Sequence, residues 1–133
     1  VYAIEKKEDA LALLKENKRK FAADNLEIVP GTAPEAMVEL PVPTHAFIGG
    51  SSGNMNEIIR LLLDKNPEVR IVINCITLET VTEAMNAIRD FSLTDVDIVQ
   101  LSAARSKSIG RYHMMMGENP IYIISCSGRG EEI

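Results

Sequence analysis

Short apolar runs alternate with segments of helical periodicity along most of the chain. The runs have the length of strands and lie at residues 1–4, 26–29, 46–48 and 69–76. Such strand–helix–strand repetition favours right-handed crossovers and a mostly parallel sheet with helices on both faces. The run at 69–76 is almost wholly apolar, which predicts a central strand that is covered on both sides. The predicted fold class is therefore an open-sheet α/β domain.

Three segments between the apolar runs have the spacing of amphipathic helices, at about residues 7–23, 55–63 and 78–88. The inward face of the first helix is expected to comprise Ala10, Leu13, Leu14, Asn17 and Phe21. Asn54 and Glu57 resemble a capping box at the start of the second helix. Thr77 or Thr80 is the expected cap of the third. Residues 34–38 are expected to form a further short helix, because proline is tolerated in a first turn.

The carboxyl-terminal third departs from this alternation. Two strand patterns, at residues 95–101 and 121–125, follow one another with no helical pattern between them. Consecutive strands after a strand–helix alternation favour an antiparallel pair at the carboxyl end of the sheet. We expect one domain over residues 1–127 and a mobile tail over residues 128–133.

The amino-acid composition limits the classes of binding partner and the compartment that we expect for this chain. The chain has 14 Lys and Arg against 19 Asp and Glu, a net charge of −5 at pH 7. This balance argues against nucleic acid or an anionic membrane as the main partner of the whole surface. No apolar run reaches the roughly 20 residues of a membrane-spanning helix. Cys75 and Cys126 lie in strand-like runs and are expected to be buried thiols in a reducing cytoplasm.

Several chemistries lack their sequence motifs. His45, His113, Cys75 and Cys126 show no metal-ligand spacing, so no metal is expected. The glycine-rich segment GGSSGN lacks the Lys-Ser/Thr pair of a P-loop.

The ends of the predicted strands are the candidates for ligand binding, because ligands of open α/β sheets bind outside the carboxyl ends of the strands. Glu5 ends the first strand and can accept hydrogen bonds from a ribose, or else be a solvated carboxylate that favours a helix start. Residues 30–34 combine small side chains with the amide of Ala33, which suits a flat ring or an ordinary turn. Residues 49–53 expose amides before a helix, which suits an anion or close ligand approach. Such glycine-rich loops are also common without a ligand.

Residues 98–117 contain Arg105, Lys107 and Arg111 but no acidic residue, although the chain as a whole is acidic. Local charge of this sign favours an anionic small-molecule substrate, with an exposed loop of unrelated basic residues as the alternative. Met114, Met115 and Met116 form either part of the core or a soft wall for a large flat ligand.

Five segments of the chain, taken together, are typical of one family. In chain order they are VYAIEK, PGTAPEAM, PTHAFIGGSSGNMNEII, RIVINCITLETV and ENPIYIIS. They resemble the decarboxylating precorrin-6Y methyltransferases of cobalamin biosynthesis, from Val1 to about Ser127. FIGGSSGN together with VINCITLET is specific to that family. The resemblance implies a Rossmann-like class I methyltransferase, S-adenosyl-L-methionine as co-substrate, a tetrapyrrole substrate, and a cytoplasmic homo-oligomer that is a tetramer in the intact family.

The resemblance also implies roles for single residues. The residues implied to bind the cofactor are Glu5 at the ribose, Thr32 and Ala33 at the adenine, and Ile48, Gly49 and Gly50 beside the methyl group. The residues implied to contact the substrate are Ser51, Asn54, Arg105 and Arg111. No catalytic side chain is implied, because methyl transfer is an in-line displacement that is helped mainly by alignment and desolvation.

The chain begins with Val1 inside an apolar run, and the family places a G-x-G-x-G loop on a strand just before VYAIEK. We therefore expect an amino-terminally truncated domain that binds the cofactor weakly. The strands at 1–4 and 46–48 are then expected to pair directly or to exchange between subunits. The alternatives are a non-catalytic fragment that keeps only tetrapyrrole- or subunit-binding surfaces, and a class I methyltransferase with another substrate, such as RNA.

Overall fold

The structure of the protein is a computed structural model that describes residues 1–50 and 53–129. The chain divides into two compact units, Val1–Pro41 and Val42–Ile133. Most of the expected tail, residues 130–133, lies outside the described residues. In the part of the chain that is described, no helix has the length and apolar character needed to span a membrane.

The first unit contains a two-stranded parallel sheet and one helix. Its elements in chain order are β1 (Tyr2–Glu5), α1 (Glu8–Lys20), β2 (Glu27–Pro30) and a 3₁₀ turn (Glu35–Met37). Strands β1 and β2 pair in parallel, as a strand–helix–strand connection requires. The two strands, the helix between them and the short turn after them confirm the sequence prediction for this part of the chain.

Helix α1 turns a different face inward from the predicted one. The partly covered side chains are Ala10, Leu11, Leu14 and Lys18, and none in the helix is fully buried. Three residues of the predicted inward face, Leu13, Asn17 and Phe21, are exposed. The observed set has the same helical period but is rotated about the axis. Periodicity predicts that a face exists, whereas its rotation is weakly specified when so few side chains are buried.

The second unit contains a mixed four-stranded sheet, two helices and a hairpin. Its elements in chain order are β3 (His45–Ile48), α2 (Met55–Lys65), β4 (Arg70–Cys75), α3 (Leu78–Asp90), β5 (Thr94–Leu101), β6 (Ala104–Ile109), β7 (Tyr112–Gly117) and β8 (Ile121–Ser127). The sheet order is β3-β4-β8-β5, and β6 pairs only with β7. Strands β3 and β4 are parallel, while β8 runs antiparallel to both β4 and β5. The antiparallel carboxyl-terminal strand is therefore confirmed.

Two features of strand pairing differ from the expectation. Among the described residues, three ladders are antiparallel and two are parallel, because β6 and β7 form a hairpin where a loop was expected. The direct pairing expected between residues 1–4 and 46–48 is absent from these ladders. Strand β1 pairs with β2, and β3 pairs with β4.

The core of the second unit lies against one face of the sheet. The side chains of β4 alternate, so that Ile71, Ile73 and Cys75 are buried while Val72 and Asn74 are only partly covered. The helical side chains that are buried in this core are Met55, Ile58, Ile59 and Leu62 of α2 and Ala84 and Ala87 of α3. Within this unit α2 and α3 contact each other and supply one layer, so one face of β4 is buried and the other, with Val72 and Asn74, is only partly covered.

The two predicted helix caps have different outcomes. Thr77 precedes α3, and its hydroxyl oxygen accepts a hydrogen bond from the backbone N–H of Thr80 at 3.1 Å. Asn54 precedes α2 but makes no capping hydrogen bond through its side chain. Its backbone angles, φ −103° and ψ 21°, lie outside the extended region in which a capping side chain reaches the first turn. The predicted capping box at α2 is therefore wrong.

One-sided burial of β4 predicts unequal effects of truncating adjacent side chains. We expect Ile73→Ala to lower the free energy of unfolding by about 3 kcal/mol, because it opens a cavity in the core. Val72→Ala, on the partly covered face of the same strand, is the matched control and should cost clearly less. Urea denaturation measures both, and equal losses would contradict one-sided burial.

Candidate functional site

In the first unit, the register of the sheet brings two predicted ligand-binding segments together. Glu5 lies opposite Pro30, so β1 and β2 end at the same edge. The backbone N–H of Gly31 donates a hydrogen bond to the carbonyl oxygen of Glu5 at 3.0 Å. The loop that carries Thr32 and Ala33 therefore begins directly beside the end of β1.

The carboxylate of Glu5 is held by the backbone of the turn between β1 and α1. Its Oε1 atom accepts hydrogen bonds from the backbone N–H groups of Lys7 and Lys6, both at 2.9 Å. These bonds, that from Lys7 first, hold the pKa of Glu5 below its ordinary value of 4.5. Lys6 and Lys7 precede Glu8, the first residue of α1, so these bonds hold the carboxylate at the turn into the helix, and the side chain stays ionised at neutral pH.

The loop after β2 forms an open depression in the surface. It has a volume of about 690 Å³ and is lined by Pro30, Gly31, Thr32, Glu35 and Ala36. Gly31 has a φ of +145°, and a Cβ atom there would lie only 3.0 Å from the Cβ of Ala36. A glycine is therefore needed where the chain turns into this depression. Thr32 is exposed and Ala33 is partly covered.

In the second unit, β3 ends with Ile48, and two glycines without side chains follow it. Ile48 is buried, whereas Gly49 and Gly50 are exposed. A Cβ atom at Gly49 would meet the ring of Phe47 at 3.1 Å, and one at Gly50 would meet nothing within 4 Å. Ser51, an expected substrate contact, lies outside the described residues. Asn54 stands at the start of α2, partly covered.

The basic segment leaves the sheet at the same edge where β3 and β4 end. Because β8 is antiparallel to β4, Tyr122 lies opposite Cys75, and Ile121 lies opposite Leu101 at the end of β5. The chain between Leu101 and Ile121 is the β6–β7 hairpin. The structure therefore brings the base of this hairpin to the edge of the sheet that also carries Gly49 and Gly50.

The hairpin has two chemically different faces, and all its residues are exposed. The register places on one face Arg105, Lys107, Ile109, Tyr112, Met114 and Met116. The other face carries Ala104, Ser106, Ser108, His113, Met115 and Gly117. The three methionines are therefore not core residues, and two of them lie beside the cations of β6.

Arg105 and Arg111 lie at opposite ends of the hairpin. Arg105 is in the first pairs of β6, near the sheet, and faces Met116 across the ladder. Arg111 lies in the turn after Gly110, which has the positive φ of 59° that tight hairpin turns use. The guanidinium of Arg111 lies over the ring of Tyr112, 5.4 Å from its centre. The structure therefore does not bring the two arginines together.

The structure adds one polar residue that sequence reasoning missed. The side-chain oxygen Oδ1 of Asn74, near the end of β4, is buried and has no hydrogen-bond partner among the described residues. The available sequence signal was a single amide inside the apolar run IVINCI. No group of three His, Cys, Asp or Glu side chains that could hold a metal ion occurs in the described part of the chain.

Comparison with known proteins agrees with this fold. The structure matches that of precorrin-6y C5,15-methyltransferase from Geobacter metallireducens, with a TM-score of 0.84 and 35% identity, over 95% of this chain and 67% of that one. It matches precorrin 8w decarboxylase from Methanobacterium thermoautotrophicum equally well, with a TM-score of 0.84 and 38% identity, over 95% and 68% of the two chains. The fold is that of the Rossmann-like class I methyltransferases.

Sequence comparison identifies the family. The precorrin methyltransferase domain matches residues 1–127, and the chain belongs to this family. A curated relative is the probable cobalt-precorrin-6B C(15)-methyltransferase (decarboxylating) from Methanothermobacter thermautotrophicus, which is 39% identical over 126 residues. The match covers 93% of this chain and 65% of that relative, so the chain spans slightly less than two thirds of the relative's length.

The hydrogen bonds of Glu5 predict a pH-dependent contribution to stability. Because its pKa is lowered on folding, this contribution is complete above the ordinary pKa of 4.5 and is lost as the pH falls through the lowered value. We expect Glu5→Gln to reduce stability at neutral pH and the difference from wild type to shrink in acid. Urea denaturation across this range measures it, with Glu16→Gln as the matched control. A difference that persists undiminished in acid would contradict the assignment.

Proposed function

We propose that the protein transfers a methyl group from S-adenosyl-L-methionine to a ring carbon of a precorrin tetrapyrrole and promotes loss of the carboxyl group of an acetate side chain, in cobalamin biosynthesis. The observation that carries this proposal is the match to the relative from Methanothermobacter, whose name states a decarboxylating methyl transfer to cobalt-precorrin-6B. The family match over residues 1–127 supports it further.

The residues proposed for the cofactor lie on both units of the chain. In the first unit, the ionised Glu5 offers a hydrogen-bond acceptor for ribose hydroxyls, and the open depression lined by Thr32 offers space for a flat ring, with Ala33 next to Thr32 in the chain. In the second unit, Gly49 and Gly50 present bare backbone after the buried Ile48 at the end of β3, and a Cβ atom at Gly50 would meet nothing within 4 Å. S-adenosyl-L-methionine supplies an activated methyl group, and these residues orient it.

The proposed substrate surface is the base of the hairpin and the adjoining edge of the sheet. Arg105 and Lys107 provide positive charge for substrate carboxylates, and Met114 and Met116 provide an adaptable apolar surface on the same face. Asn54 stands at the same end of the sheet, at the start of α2. An exposed surface that combines cations with methionine side chains suits a flat macrocycle that carries several carboxylates.

We also propose that the protein is a cytoplasmic homo-oligomer. The hairpin supports assembly, because a two-stranded ladder with both faces exposed is at best marginally stable alone. Cys75 and Cys126 are free and buried, and burial raises the pKa of each thiol, which suits a reducing compartment. The net charge of −5 favours neither nucleic acid nor an anionic membrane as a partner.

The proposed activity is tested with the protein expressed from its entire gene. Incubation with S-adenosyl-L-methionine and cobalt-precorrin-6B should yield a product that has gained a methyl group and lost carbon dioxide, which mass spectrometry detects. The relative from Methanothermobacter is the positive control. If that relative converts the substrate and this protein leaves it unchanged, the proposal is wrong.

Positive charge on the hairpin should act mainly on substrate binding. We expect Arg105→Ala to raise KM about tenfold with a smaller change in kcat, since a hydrogen bond to a charged group contributes about 1.5 kcal/mol to binding. Arg111→Ala should have the same direction and a smaller size, because Arg111 lies at the far end of the hairpin. Lys15→Ala, on exposed α1, is the control. If both arginine variants keep the wild-type kcat and KM, the segment does not bind substrate and is an ordinary solvated surface.

The tip of the hairpin is where we expect contact between subunits. Ile109 and Tyr112 are paired there, and both are exposed. Light scattering should give the wild-type protein a mass above that of a monomer, and Ile109→Asp should shift the mass towards the monomer. Leu13→Asp, at another exposed leucine, is the matched control and should leave the mass unchanged. A monomeric wild type would rule out the assembly.

A further inference from the structure

The open depression after β2 is lined by two polar side chains, those of Thr32 and Glu35. Its other lining residues are a proline, a glycine and an alanine, which have no polar side-chain atom. A threonine hydroxyl can donate or accept a hydrogen bond, whereas a carboxylate only accepts. Glu35 is therefore the charged group in this lining, and it requires a donor from any ligand that it contacts.

The backbone that carries Glu35 is held by the 3₁₀ turn. The N–H of Ala36 donates a hydrogen bond to the carbonyl oxygen of Thr32 at 2.9 Å, and the carbonyl oxygen of Glu35 accepts one from the N–H of Val38 at 3.4 Å. Ala36 also lies so close to Gly31 that a Cβ atom there would be 3.0 Å from its own. These contacts fix the backbone at Glu35 relative to the rest of the depression.

The carboxylate of Glu35 makes no hydrogen bond or ion pair with the described residues. The carboxylate of Glu5, by contrast, already accepts two backbone N–H groups. The N–H of Gly31 donates to the carbonyl oxygen of Glu5 at 3.0 Å, so the depression starts directly beside the end of β1. A nucleoside whose ribose contacts Glu5 can therefore extend its base into the depression, where Glu35 has an unused acceptor.

We propose that Glu35 determines which base the depression accepts, its carboxylate accepting a hydrogen bond from the 6-amino group of adenine. This inference rests on the proposed function, which places the base of S-adenosyl-L-methionine in this depression. The 6-amino group is the hydrogen-bond donor of the base, while the ring nitrogens of adenine are acceptors. Glu35 thereby favours a 6-aminopurine over a purine with a carbonyl oxygen at that position, because the carboxylate repels a second acceptor.

The test compares two ligands by calorimetry, with the protein expressed from its entire gene. One is S-adenosyl-L-homocysteine, and the other is its analogue with purine in place of adenine, which lacks only the 6-amino group. The wild type should bind the adenine ligand about tenfold more tightly, as expected for a hydrogen bond to a charged acceptor. Glu35→Ala should reduce this preference to below about threefold, and Glu35→Gln, which keeps a neutral acceptor, should give an intermediate value. Glu39→Ala, at an exposed carboxylate outside the lining, is the matched control and should keep the wild-type preference.

The outcomes separate this inference from the proposed function. A wild-type protein that does not bind S-adenosyl-L-homocysteine would overturn the proposed function and the inference with it. A wild type that binds both ligands equally, or a Glu35→Ala variant that keeps the wild-type preference, would overturn the inference alone. If Glu35→Ala weakens both ligands by the same factor, the carboxylate contacts another group, such as the ammonium of the amino acid, and its assignment to the base is wrong. A lower urea midpoint with the wild-type preference would make Glu35 a structural residue only.

Discussion

The pairing of β4 on both its edges determines where the candidate residues of the second unit lie. Its parallel pairing with β3 ends at Ile48 and Ile73, just before the glycines, and its antiparallel pairing with β8 returns the chain from the hairpin to the same end of the sheet. At the other end of the strand, the guanidinium of Arg70 donates hydrogen bonds to the hydroxyls of Ser127 and Ser125 at 3.0 and 3.2 Å. A slip of one residue would exchange the two faces of the strand. Such a slip would expose the side chains of Ile71, Ile73 and Cys75, so their burial on one face fixes the register.

The sequence predicted those elements in which one side of the chain is buried. Helices α2 and α3 and the strands around them have clear patterns because their inner side chains are wholly enclosed. The β6–β7 hairpin was missed because both of its faces are exposed, so that no alternation of apolar and polar residues is needed. The rotation of α1 was misassigned because Leu11 and Leu13 compete for a face that buries little.

The candidate site likewise contains residues whose positions the sequence predicts and others that only the structure reveals. The positions of Glu5, Thr32 and Gly49 at strand ends could be predicted from the sequence, and the roles that the family resemblance implies for them stay predictions. Asn74 could not be found in this way, because whether an amide has a partner depends on register and on neighbouring strands. The helix-start bonds of Glu5 likewise depend on how the backbone turns after β1. Sequence reasoning therefore located positions, while the structure supplied the state of each polar group.

The different support of β4 and the hairpin has a consequence for local motion. Each edge of β4 is bonded to another strand and one of its faces is sealed, so its amides open only with most of the second unit. Each strand of the hairpin is bonded on one edge alone and has no sealed face, so it can fray from Gly110 inward at small free-energy cost. At this end of the sheet the rigid strand β4 thus lies near the more flexible β6–β7 hairpin. The hairpin can adapt to a bulky ligand while β4 keeps its geometry.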